Sequence, residues 1–341
     1  MTPVVVDLRS DTVTRPTPEM RRAMADAEVG DDLYGEDPTV NALQEELAAV
    51  VGQPAALYVA SGTMANQLAL RVLTHRGDGV IVGARQHVVL YEDGAGPMNA
   101  GITWLTVADE DGTFDPAAVD LAAEGAAHHQ PRPSLVAVEN THMAAGGTIW
   151  PADRLAAVCA AASARGLRVH MDGARLWHAA AASDTTPAMA AAGATTVMCC
   201  LSKALAVPIG SVLAGPADVI QAATAERHRM GGGWRQAGVL AAAGLVALRT
   251  MRDRLVEDHR RARRLAEVVA ERWPGSLDPG AVKTNIVAFP HPRPDELLDH
   301  LRSEGVLGGT VAPRVVRLVT HPDVDDEGLE RAAKALASSP V

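Results

Sequence analysis

Lysine is nearly missing from this sequence. Of its 31 basic side chains, only those at positions 203, 283 and 334 are lysines, and the rest are arginines. Chemistry that needs a side-chain primary amine therefore has three candidates: Lys203, Lys283 and Lys334. Cysteine is equally scarce. Cys159, Cys199 and Cys200 are odd in number, with two adjacent, which argues against a disulfide framework and for a reducing compartment. No stretch reaches the roughly 18–20 uncharged apolar residues that cross a bilayer; residues 237–248 are too short. The first residues carry Asp7 and Arg9 where a secretory leader would be apolar. Positive charge is also in deficit: 31 Lys and Arg stand against 41 Asp and Glu, a net −10. That leaves little surface for neutralising phosphates along a nucleic acid. Internal repeats and low-complexity linkers are missing as well. The expectation is a cytoplasmic protein with neither membrane nor nucleic-acid partners.

What is present is enough for a large core. Of 341 residues, 48% are apolar, and the length fits two domains. Short β-branched runs at 56–59, 80–82, 102–107, 135–139, 167–171, 195–201 and 211–213 alternate with longer helical patterns such as 115–124 and 151–165. This is the signature of an α/β protein with a mostly parallel sheet covered by helices. The helix over 38–51 is well marked, with Asp37 as cap, Pro38 in the first turn and Gly52 after its end. From Met251 a charged amphipathic helix begins, followed by strands near 284–289 and 314–319 and helices near 294–304 and 325–336. The expected division is an N-terminal segment (1–20), a large α/β domain (21–250) and a smaller α+β domain (251–341).

Lys203 follows the apolar run TTVMCCLS, so it lies at the carboxyl end of a buried strand. Ligands of open α/β sheets bind at that edge, and a desolvated lysine there can form a Schiff base. Asp172 ends the strand in GLRVHMDGAR and can pair with a cationic ring nitrogen such as that of pyridoxal phosphate; capping the next helix is the plainer alternative. A metal reading of His170 and Asp172 lacks a third ligand at characteristic spacing. Ser61, Gly62 and Thr63 follow one strand and open a helix, a seat for phosphate or an ordinary cap. His87 follows another strand and can stack on a planar group or move protons. Arg175 and Arg317 offer planar forks for a carboxylate, or structural salt bridges. The glycine-rich turn at 231–236 reads as a subunit contact or a loop.

Taken together and in order, these motifs resemble the L-threonine aldolases of the β-eliminating lyase group, which are fold-type-I pyridoxal phosphate enzymes. The resemblance rests on DLRSDTVTRPT at 7–17, VGDDLYGEDPTVNAL at 29–43, SGTMANQ at 61–67, ENTH at 139–142, HMDGAR at 170–175, LSK at 201–203, GGGWRQAGVLAAAG at 231–244, KTN at 283–285 and RLVTH at 317–321. It implies a reversible retro-aldol cleavage of L-threonine, L-allo-threonine and related amino acids to glycine and an aldehyde. Other pyridoxal phosphate reactions on the same fold are the alternative. It also implies roles. Lys203 would carry the cofactor and Asp172 would face its pyridine nitrogen. His87 would stack on its ring, and Ser61, Gly62 and Thr63 would hold its phosphate, with Arg175 and Arg235 nearby. Ser10, Arg175 and Arg317 would bind the substrate carboxylate, and His129 would face the substrate hydroxyl. Tyr34 and Arg235 would reach a neighbouring subunit, in a homotetramer with shared sites. The family pattern is departed from at Ala204, Met143, His228 and Gln130, where Gly, Asn, Lys and an aromatic residue are usual.

Overall fold

The computed structural model describes residues 5–125 and 129–341. Its strands, in chain order, are β1 (Val6–Asp7), β2 (Ala55–Val59), β3 (Gly79–Gly83), β4 (Thr103–Val107), β5 (Pro133–Glu139), β6 (Arg168–Gly173), β7 (Thr196–Cys200), β8 (Ser211–Gly215), β9 (Ile286–Pro290), β10 (Val306–Leu307), β11 (Gly309–Ala312) and β12 (Val315–Val319).

Seven of them form one sheet in the order β2-β8-β7-β6-β5-β3-β4. β8 runs antiparallel to both its neighbours, and the other pairings in the sheet are parallel. Helices cover both faces, which explains why the strands read as continuous apolar runs. Alternate residues of one strand enter opposite cores. Val136, Val138, Val197 and Cys199 pack on one side, while Leu135, Ala137, Met198 and Cys200 pack on the other.

Local chemistry sets the helix ends. Asp37 Oδ1 accepts from the amides of Thr39 and Val40 to start the Pro38–Val51 helix, and Gly52 closes it at φ +69°. The same carboxylate, through Oδ2, accepts from Gly238 N at 2.8 Å and so also caps the Gly238–Thr250 helix. One buried side chain thereby satisfies orphan amides of two helices that pack on each other.

The C-terminal part has its own core. β11, β12 and β9 form an antiparallel sheet, against which the helices Leu255–Arg272, Pro294–Ser303 and Asp326–Ala337 bury Leu265, Val269, Leu297, Leu301, Leu329 and Leu336. The charged helix expected from Met251 begins at Leu255, after a turn. Val6 and Leu8 belong to this core too, because β1 pairs in parallel with β10. Among the described residues, no helix is long and apolar enough to cross a membrane.

Candidate active site

The carboxyl ends of β5, β6 and β7 deliver Glu139, Asp172 and, one turn beyond Cys200, Lys203 to the same edge. The helix Gly62–Leu73 begins beside them. Ser61 Oγ caps it by accepting from Met64 N, and a Cβ on Gly62 would come within 2.9 Å of Cys200 Sγ, so only glycine lets the helix start this close to β7. Gly62, Thr63, His87, Asp172 and Lys203 line one cavity of about 140 Å³, together with Asn66, Glu92 and Ser202. Larger hollows exist, such as one of about 790 Å³ along the edge strand β4. That one is lined mainly by Trp104, Leu105, Val107, Leu121 and small residues and gathers no cluster of titratable groups.

Lys203 is partly buried, and no partner for its amine is found among the described residues; its backbone carbonyl accepts from Thr14 Oγ1 at 2.8 Å. Asp172 is 2% exposed. Its Oδ2 accepts from Asn66 Nδ2 at 2.8 Å and its Oδ1 from Ala174 N at 3.0 Å. His87 Nδ1 lies 3.1 Å from Glu92 Oε1. Burial alone would push the His87 ring toward neutrality. The Glu92 hydrogen bond and the charges of Asp172 and Glu139 outweigh that, opposed by Lys203, and raise its pKa. Glu139 is fully buried, and that burial raises its own pKa, even though it accepts from His87 N at 2.6 Å and Met143 N at 2.8 Å.

His87, Glu92 and Asp172 hold donor atoms within 4.8 Å of one another, a spacing that could suit a cation. Asn66 Nδ2, however, already donates to both carboxylates, at 2.8 Å each, and places two hydrogens between them. His170 is no ligand either. Its Nδ1 meets Thr196 Oγ1 at 2.9 Å and its Nε2 meets Asn66 Oδ1 at 3.0 Å, which leaves no free lone pair. Burial lowers its pKa to about 4, so the ring is neutral.

The two arginines differ. Arg175, expected as a carboxylate clamp, has its fork closed on the fully buried Asp11, Nε to Oδ2 at 2.8 Å and Nη2 to Oδ1 at 2.7 Å. That two-point face is taken, and Arg175 reaches the site as a fixed charge. Among the described residues, Arg317 meets no carboxylate and its buried Nε has no partner; its Nη1 lies 3.3 Å from Met143 Sδ and its Nη2 donates to the Arg9 carbonyl at 3.0 Å. Burial and the nearby Arg175 charge both lower its pKa. Ser10 Oγ, next to Arg9, accepts from Thr12 N at 3.2 Å and Thr12 Oγ1 at 2.9 Å to cap the turn Asp11–Val13, which leaves its own proton to donate.

Three expected residues stand apart from the cavity. Tyr34 is 76% exposed, and Arg235 lies beside Asp31 at 3.8 Å on the same surface. His129 sits in an exposed turn at φ +62° ahead of β5. It therefore lies at the amino end of a strand whose carboxyl end carries Glu139. Seven residues of extended chain, about 20 Å, separate the two ends, so within one chain His129 does not face the site.

Sequence reading missed Asn66, Gln67, Glu92, Glu139 and Asp11. The one available signal was polar residues inside otherwise apolar or small-residue runs, as in SGTMANQ.

The family model described as β-eliminating lyase matches residues 7–290. The chain is 38% identical over 332 residues to a low specificity L-threonine aldolase of Escherichia coli K12, covering 96% of this chain and 97% of that one. It is 40% identical over 337 residues to a probable low-specificity L-threonine aldolase 2 of Arabidopsis thaliana, with 95% and 94% covered. Among solved structures, a threonine aldolase of Leishmania major superposes with a TM-score of 0.83 at 20% identity, covering 97% and 98% of the two chains.

Proposed function

The chain belongs to the β-eliminating lyase family, and on that premise we propose that it splits β-hydroxy-α-amino acids, L-threonine and L-allo-threonine among them, into glycine and an aldehyde. The reaction is reversible and uses pyridoxal phosphate. One observation carries the reading beyond the relatives' names. A lysine amine without a partner among the described residues, a buried carboxylate and an imidazole share one cavity, and Arg317 is linked to the His87 backbone at its wall through Met143 and Glu139.

The donor set suits that cofactor. Lys203 offers the amine that would hold it, Asp172 an anion for the pyridine nitrogen, and His87 a ring face to stack on it. Gly62 and Thr63 offer a hydroxyl, amides and the positive end of a 12-residue helix for its phosphate. When bound, the group supplies an electron sink for the pair released as a bond at Cα breaks.

The protein's own groups do the rest. Arg317 takes the substrate carboxylate and so fixes which Cα bond is aligned for cleavage, a matter of orientation rather than of added reagents. His87, with the Nδ1 proton turned toward Glu92, presents Nε2 to take the proton from the β-hydroxyl. Of His129 and His87, both candidates for that base, His87 is the one that lines the cavity within one chain. Asp172 is held in place by Asn66 and the Ala174 amide, which keeps its charge where the ring nitrogen would sit.

Removing the Arg317 fork, as in Arg317→Met, is expected to raise KM for L-threonine by roughly 10- to 100-fold, the worth of a charge-assisted pair. Steady-state kinetics would show it, and an unchanged KM would place the carboxylate elsewhere. The function itself is tested by giving the purified protein, with pyridoxal phosphate added, each threonine diastereomer separately. Acetaldehyde with equimolar glycine is the expected product. Its absence from both would point to a different reaction on the same fold. We also read the protein as a homotetramer in which Tyr34 and Arg235 serve a neighbouring copy's site, which sedimentation of the native protein would test.

A further inference from the structure

We propose that Glu92 is the positioning residue of this site: it holds the His87 ring in a single tautomer and, through the Asn66 amide, ties that ring to Asp172 so that the three act as one unit. The inference deepens the aldolase reading and rests on it only for the reaction step.

The assignment follows from counting donors. Glu92 has a fully buried side chain. Its Oε2 accepts from Gln67 Nε2 at 2.7 Å, and its Oε1 from Asn66 Nδ2 at 2.8 Å, with His87 Nδ1 at 3.1 Å. Neither amide is free to flip. Gln67 Oε1 accepts from Asn99 Nδ2 at 3.3 Å, which turns the Gln67 nitrogen toward Glu92. Asn66 Oδ1 meets His170 Nε2 at 3.0 Å, and Thr196 Oγ1 meets the other nitrogen of that ring. Since Thr196 can donate to Nδ1, His170 carries its proton on Nε2 and donates to Asn66. Both hydrogens of Asn66 Nδ2 are then committed, one to Glu92 and one to Asp172.

With its amide donors oriented in this way, Glu92 is an acceptor toward His87. The His87 proton therefore lies on Nδ1, and Nε2 is left bare toward the cavity. A carboxylate behind an imidazole fixes ring orientation and stabilises the imidazolium that forms when the ring accepts a proton. The groups facing His87 come from every wall: Glu92 and the Tyr91 ring from its own segment, Glu139 from β5, Asp172 from β6 and Lys203 from the loop after β7. Among the described residues, only Glu92 is hydrogen-bonded to the imidazole ring; Glu139 accepts from the backbone amide instead.

The test is Glu92→Gln, read in two ways. In the cofactor-free protein, the His87 ring followed by NMR should titrate about one pH unit lower than in the wild type, because the hydrogen-bonded anion that favours its charged form is gone. In the loaded enzyme, the acid limb of kcat/KM for L-threonine should move to lower pH by a similar amount. Glu92→Asp, which keeps the charge but draws it back, should move both readouts the same way by less, and it serves if the Gln variant fails to fold. An unmoved His87 titration in a folded variant would overturn the proposal. So would a titration that moves while the activity profile stays in place. If the wild type released no acetaldehyde, the aldolase reading would fall, and the NMR shift would still decide whether Glu92 orients His87.

Discussion

Lys203→Ala is expected to remove turnover of L-threonine by roughly a thousandfold or more, together with the visible absorbance of bound pyridoxal phosphate. Covalent residues that act as part of a unit carry effects of that size or larger. Here the alternatives are few. Lys283 precedes β9 in the C-terminal part, and Lys334 lies on the terminal helix Asp326–Ala337. Neither lines the cavity that holds Asp172 and His87, so no second amine can take over. The fold should survive the change, because the lysine amine makes no hydrogen bond among the described residues and its backbone carbonyl keeps the bond from Thr14. Absorbance spectra and single-turnover assays check both parts. Turnover that survived in the variant would show that the amine is elsewhere.

The largest expected loss of stability comes from Asp11→Asn. Asp11 and Arg175 are both at most 4% exposed and are joined at two points. Asp11 Oδ2 also accepts from Asn285 Nδ2 at 3.2 Å, so the same carboxylate links the N-terminal turn, the segment after β6 and the start of β9. Taking away one partner leaves a buried guanidinium uncompensated, which costs about 3–5 kcal/mol. Urea unfolding at neutral pH should show this as a lower midpoint; a difference under about 1 kcal/mol would mean the pair is idle. The pH dependence has a definite sign. Burial would raise the Asp11 carboxyl, but Arg175 holds it well below its ordinary value of 3.8. Its contribution is therefore present above about that pH and is lost as pH falls toward the folded-state value. The gap between wild type and variant should narrow only in acid below about pH 4.

Much of the frame was legible in the chain because short-range physics sets it. Short continuous runs of apolar, β-branched residues gave the seven strands of the main sheet, and Asp37, Pro38 and Gly52 marked a helix end to end. Lys203 and Asp172 were legible because each follows an apolar strand and so must emerge at the ligand-binding edge. What stayed hidden depends on pairings far apart in sequence. Asn66 meets Asp172 across 106 positions and Arg175 meets Asp11 across 164, and no local window distinguishes such partners from solvated side chains. For the same reason Arg175 and Arg317 looked alike, although one is already closed on a carboxylate and the other is not. Glu92 was passed over because nothing in its local sequence sets it apart from a solvated carboxylate, and only the third dimension puts it behind an imidazole.

The pairing of β1 with β10 bears on how the enzyme is made. Val6 has no strand partner until Val306 arrives, 300 positions later. On a ribosome adding about 5–20 residues per second, that is a wait on the order of 15 to 60 s. During that time the N-terminal segment can be held through Asp11 on Arg175 and Thr14 on the Lys203 carbonyl, while the Arg9 carbonyl still lacks the Arg317 fork that donates to it. The residues that line the cavity all lie between 62 and 203 and are made early, whereas Arg317, proposed to take the substrate carboxylate, comes only with the final stretch of translation. The group for the amino acid's carboxylate is thus the last part of the site to be made.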